Sequence, residues 1–189
     1  MKGLTKVLSV ILVLLIVAAI AGVITYFALQ AVGVTFYVEL NGVRYYSGAS
    51  DAELWLPGGE QYSFTVKTIE GEDTEYSAEI RANQETTFTF TADQNPYNFY
   101  RRDDASMNDY TDVFDLQKGE SGFTIDMPQD VSLQQVMKER YAAEVVIPDG
   151  LEERANYFVL IVTVGGNAVN LPFSFAPPTL ELDQPGIVF

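Results

Sequence analysis

The sequence predicts an all-β fold: an N-terminal transmembrane helix followed by two small tandem antiparallel β-sandwich (Ig-like) modules with one short helix. Three observations carry this. Residues 7–29 run uncharged for 23 positions. From Thr35 onward, apolar residues recur with a period of two, the spacing of half-buried strands. Between the apolar runs lie turn signals such as Asn41-Gly42, Pro57-Gly58-Gly59 and Gly71-Glu72-Asp73.

The apolar run begins after Lys2 and Lys6, and the first charge beyond it is Glu39. As a helix it reaches about 34 Å, enough for a hydrocarbon core of about 30 Å. Both lysines precede it, so the positive-inside rule keeps the N-terminus cytoplasmic and exports the remainder. Tyr26 and Phe27 suit the outer interface. A cleaved signal peptide is the competing reading, but its apolar region would be shorter. The nearest cleavage candidate also sets Leu29 and Ala31 at the specificity positions, a poor match. A pilin-type start is excluded because Leu8 stands where a glutamate is needed. Ala18 and Gly22 form a small-xxx-small pair that offers a homodimer contact, or a chance spacing in an alanine-rich span. The expected location is therefore the cell membrane, single-pass, with the C-terminal region extracytoplasmic. The lysine-flanked anchor and the absence of asparagine-x-serine/threonine sites lean towards a bacterial envelope.

In the first module, residues 32–92, Phe36, Val38 and Leu40 alternate with Tyr37 and Glu39. Asn41-Gly42 then turns the chain into Val43 and Tyr45. Leu54 and Leu56 share a face. Tyr62, Phe64 and Val66 share another, followed by Tyr76, Ala78 and Ile80, and then by Phe88 and Phe90. Residues 93–121 break the pattern and read as an aromatic and acidic linker or a long loop. In the second module, residues 122–189, strands are expected at Phe123–Met127, Ala143–Ile147, Tyr157–Val164 and Val169–Phe175, with Leu180, Leu182 and residues 187–189 as an added edge. Tyr157–Val164 is apolar almost throughout and predicts a central strand. Ser132 caps the one expected helix, to Tyr141, with Gln135 three residues on and Leu133, Val136, Met137 and Arg140 as its stripe. An aliphatic strand, a proline–glycine turn and an aromatic-led strand recur in LWLPGG…YSFTVKT and VVIPDG…YFVLIVT, which favours two related modules.

The first half resembles PEGA-type surface modules and, more loosely, fibronectin-like sandwiches. The residues that carry the resemblance are Val38-Glu39-Leu40-Asn41-Gly42, Leu56-Pro57-Gly58-Gly59 and Tyr62-Ser63-Phe64-Thr65-Val66. It spans residues 34–92 and rests on turn and strand patterning; the family's name-giving Pro-Glu-Gly-Ala signature is absent before Phe36. It implies an extracytoplasmic β-sandwich and transfers no functional residue.

Composition narrows the chemistry. The chain has no cysteine and no histidine. That excludes disulfides, thiolate metal sites and histidine general-base catalysis. Beyond the anchor stand 26 acidic and nine basic residues, a net −17, which repels nucleic acid. Gly119-Glu120-Ser121-Gly122 superficially matches a nucleophile elbow, but no histidine activates the serine. Paired carboxylates suit glycoside hydrolysis, yet no pair stands out. The expectation is a non-catalytic protein without cofactor, which binds envelope glycans or a protein partner or serves as a structural subunit of an envelope complex. Its candidate contact residues are Trp55, Tyr97, Phe99, Tyr100, Arg101, Arg102 and Tyr110, since aromatic and arginine side chains dominate binding hot spots. The alternative is that these rings cement the seam between the modules, with the arginines paired to Asp103 and Asp104. Trp55 lies by parity with Glu53, opposite Leu54 and Leu56, either on the surface or in a strand covered on both faces. Asp103, Asp104, Asn108, Asp109, Asp112 and Asp115 offer oxygen ligands for calcium or form a solvated acidic loop.

Overall fold

The structure is a computed structural model that describes Val17 and residues 35–48, 52–151 and 155–175. Apart from Val17, the expected anchor, with its Ala18–Gly22 pair, lies outside the described residues, as does the expected C-terminal edge. Among the described residues no helix is long and apolar enough to cross a membrane.

Two sheets build the body. In the first, β1 (Phe36–Leu40) pairs with β2 (Val43–Tyr46) and with β4 (Gln61–Thr68). Asn41 and Gly42 have φ of 52° and 81°, the left-handed pair that a two-residue type I′ hairpin requires. Strand β4 then pairs with β9 (Gly122–Asp126), and β9 with β8 (Gln117–Lys118), giving the order β2-β1-β4-β9-β8. Parity puts Phe36, Val38, Leu40, Phe64, Val66, Phe123 and Ile125 on one face, all buried. Phe64 and Phe123 stack at 4.8 Å. The outward Tyr37 is nonetheless only 4% exposed. Arg44 lies 4.5 Å above its ring, held there by Glu39 at 2.7 Å.

In the second sheet the order is β3-β12-β11-β5, formed by Leu54–Trp55, Asn167–Ser174, Phe158–Val164 and Ser77–Ala82. Strand β11 is central, as expected. Its inner residues Phe158, Leu160 and Val162 are buried and the alternate ones half-buried. The inner faces of both sheets belong to one buried cluster, so the two sheets close over a single core.

This overturns the tandem reading and its boundaries at residues 92 and 122. Strand β4 of the first half pairs with β9 of the second, and β5 of the first with β11 of the second. Residues 34–92, which carry the PEGA-type resemblance, therefore form no closed unit. The physical reason is edge satisfaction: β4 and β5 each find their missing neighbour across the chain, not within their own half.

A third sheet caps one end, with β6 (Thr89–Ala92) between β7 (Asn95–Asn98) and β10 (Val145–Val146). Helix α1 (Leu133–Tyr141) joins it. Ser132 Oγ accepts from the Gln135 N–H at 3.2 Å, as the capping signal predicts. Residues 93–121 are no linker. They contain β7, a 3-10 helix (Ala105–Asn108), β8 and the fully buried Phe99, Tyr110 and Phe114. They also seal the edge of β5: the Tyr110 N–H donates to the Ile80 carbonyl at 2.8 Å, and the Ile80 N–H donates to Thr111 Oγ1 at 3.0 Å.

Candidate functional site

Of the aromatic and arginine candidates, the cap brings Tyr97 and Arg101 together and adds Tyr141. Tyr97 lies on β7, opposite Phe90 of β6, with their rings 5.9 Å apart. Tyr141 ends α1. Its ring stands 5.0 Å from Phe90 at 71° and 5.4 Å from Tyr97. The Arg101 guanidinium sits 5.3 Å over the Tyr97 ring, a cation–π distance. Asp103 holds it from the side through a two-point contact, Nε to Oδ1 at 2.9 Å and Nη2 to Oδ2 at 2.7 Å. That hydrogen bonding lowers the Asp103 carboxyl to about 2 and raises the guanidinium.

The backbone beneath is pinned as well. Asn108 is 3% exposed. Its Oδ1 accepts from the Arg101 N–H and its Nδ2 donates to the Arg101 carbonyl, both at 2.8 Å. The Tyr141 hydroxyl is buried close to the Arg101 guanidinium, outside hydrogen-bond geometry, and burial raises its pKa. The outcome is a half-buried pair of tyrosine rings with one oriented cation over Tyr97, and with Tyr100 half-buried and Arg102 exposed beside it in the chain. Tyr141 escaped the sequence reading. Its signal was its position four residues after Met137, on the same helix stripe.

Phe99 and Tyr110 do not belong to this surface. Both are fully buried. Phe99 stacks on Phe88 at 4.8 Å and meets Tyr157 and Phe158 edge-on. Tyr110 packs 5.0 Å from Phe158, and its hydroxyl lies 3.4 Å from Met137 Sδ. They are core residues because the segment that carries them closes the β5 edge. Trp55 is 48% exposed, on the far edge of the second sheet. Its Nε1 donates to the Phe175 carbonyl at 3.2 Å.

Part of the acidic loop is committed internally. Asp103 serves Arg101. Asp104 caps the 3-10 helix, accepting from the Ser106 N–H at 3.1 Å and Oγ at 2.6 Å. Asn108 faces inward. Burial pushes the Asp109 carboxyl up, but the Thr111 hydrogen bonds and the nearby Arg81 and Arg140 leave it below its ordinary value. Asp112 and Asp115 line an open concavity of about 460 Å³ with Asp109, and the Arg140 side chain lies in its wall. Among the described residues no three acidic groups stand together as metal ligands. Of the calcium candidates, Asp103, Asp104 and Asp109 are thus engaged by Arg101, Ser106 and Thr111, and Asp115 accepts from Gln117 Nε2 at 3.1 Å.

No family model matches the chain, and no curated protein or solved structure matches it.

Proposed function

We propose that the protein is a membrane-anchored, extracytoplasmic, non-catalytic β-sandwich that binds envelope glycan through the Tyr97–Tyr141–Arg101 surface. The observation that carries this reading is the geometry of the cluster. Two half-buried tyrosine rings stand beside a guanidinium whose orientation is fixed by Asp103 and whose backbone is fixed by Asn108. Such pre-ordering reduces the entropy lost on binding. Ring faces suit the C–H faces of sugars, and Arg101 and the exposed Arg102 suit hydroxyl or carboxylate oxygens. The anchor reading rests on the uncharged run of residues 7–29 and its N-terminal lysines. The non-catalytic reading rests on a chain without histidine or cysteine.

The test is co-sedimentation of the full chain, in mild detergent, with insoluble envelope glycan. Tyr97→Ala removes a hot-spot ring and weakens retention roughly thirtyfold, the equivalent of about 2 kcal/mol. Retention unchanged in a Tyr97→Ala protein with a native circular-dichroism spectrum rejects glycan binding at this surface. A structural subunit is the alternative, supported by the outer edge of β2, which pairs with no further strand among the described residues and where Val43 is 54% exposed. It expects stoichiometric partners on affinity capture from the native membrane.

A further inference from the structure

We infer that the sandwich stands end-on, with an acid-lined end towards the bilayer and the Tyr97–Tyr141–Arg101 cap facing away from it, so that the cap meets glycan held at a distance from the membrane. The inference rests on the anchor reading and adds the direction in which the site is presented.

Strand directions decide which end is which. The chain enters β1 at Phe36, only six residues (30–35) beyond the apolar run. The Phe36 end of β1 is therefore the membrane-proximal end. Register then assigns the other strands. Phe36 pairs with Thr68, the last residue of β4, and Gly122 opens β9 beside Thr65, so the β4–β5 connection and the β8–β9 hairpin lie proximal. The Tyr76 hydroxyl donates to the Gly119 carbonyl at 3.0 Å, which ties the start of β5 to the same end. The other ends of the strands lead to the cap. The Leu56 N–H donates to the Ser174 carbonyl at 3.0 Å just before the chain turns into β4. Ala82 of β5 pairs with Phe158, and the Asn83 N–H donates to the Tyr157 carbonyl at 2.8 Å. From there the chain passes directly into β6 and β7. Phe99 packs on Phe158 at this end, and Phe90 carries Tyr97 and Tyr141.

Lengths exclude the inverted pose. Six extended residues reach about 20 Å at most. The eight residues of β4 alone rise about 26 Å at roughly 3.3 Å each, and the cap lies beyond them. The tether is too short to run up the side and lower the cap onto lipid. The proximal end is acid-lined: the β4–β5 connection bears Glu70, Glu72, Asp73 and Glu75, and the β8–β9 hairpin bears Glu120.

The chain contains no cysteine, so single labels are unambiguous. Glu72→Cys places a dye at the proximal end, and Glu85→Cys places one just past β5 at the cap; both positions are exposed. The full chain is reconstituted in vesicles of phosphatidylcholine and phosphatidylglycerol that carry a short-range quencher on the headgroup. The expected result is several-fold stronger quenching at Glu72→Cys than at Glu85→Cys. Equal quenching, or the reverse order, in protein that floats with the vesicles overturns the orientation alone. Protein that fails to float overturns the anchor, and the orientation with it.

Discussion

Replacing Phe158 by alanine tests whether the two halves of the chain share one core. Phe158 is 1% exposed. Its ring lies 5.0 Å from Tyr110, 5.1 Å from Phe114 and 5.6 Å from Phe99, all near-perpendicular. It also lies 5.7 Å from Phe175 and 5.9 Å from Phe173. A buried Phe→Ala costs about 3–5 kcal/mol, and three lost edge-to-face pairs place this one near the top of that range. With a urea dependence of about 2 kcal/mol per molar, the unfolding midpoint falls by roughly 2 M. The informative readout is Trp55, the chain's only tryptophan. It lies in the first half of the sequence, yet β3 pairs with β12, and its indole donates to the Phe175 carbonyl. Its fluorescence therefore tracks the Phe158→Ala destabilisation in full and coincides with circular dichroism. A Trp55 transition that keeps its wild-type midpoint while circular dichroism shows a second, earlier one would refute the interleaved core and restore independent modules.

Three further outcomes follow from particular contacts. Gly122→Ala drives a Cβ into the Phe64 carbonyl oxygen, a backbone clash between β4 and β9, and lowers stability by about 2–3 kcal/mol in the same urea assay. Ser132→Ala removes the α1 N-cap and costs about 1 kcal/mol, a midpoint shift of roughly 0.5 M, with the helix otherwise retained. Asp103, whose carboxyl is lowered to about 2 by Arg101, binds its proton later in the folded than in the unfolded state. Its contribution is thus present above the unfolded value near 3.8 and fades as pH falls towards 2. Carboxyl-carbon NMR of the wild type shows the low titration, and Arg101→Gln returns it to the ordinary aspartate range; an unchanged midpoint refutes the pairing.

Local patterning carried most of the strand reading. Alternation at Phe36–Leu40, at Tyr62–Val66 and along β12, the Asn41-Gly42 turn and the Ser132 cap all depend on neighbours a few residues away, and all are present. Partner choice was not legible. The antiparallel pairings of β4 with β9 and of β5 with β11 join residues dozens of positions apart, and apolar strands of similar composition can pair in several ways. The faint repeat between LWLPGG…YSFTVKT and VVIPDG…YFVLIVT misled for this reason: it reflects turn and strand grammar, which does not specify which strands become neighbours.

The candidate site shows the same division. Arg101 beside Asp103 was readable because they stand only two positions apart. Residues 93–121 looked like exposed loop because their charges and aromatics lack periodicity. Only folding could sort them, sending Phe99, Tyr110 and Phe114 inward to seal β5 and leaving Tyr97 at the surface. By itself the sequence determined strand content, the hairpin, the helix cap and an acidic composition, since these follow from backbone preference and short-range spacing. The tertiary structure decided that one core serves both halves and that Tyr141 completes the arginine–tyrosine cluster, because burial and edge pairing depend on which distant surfaces meet.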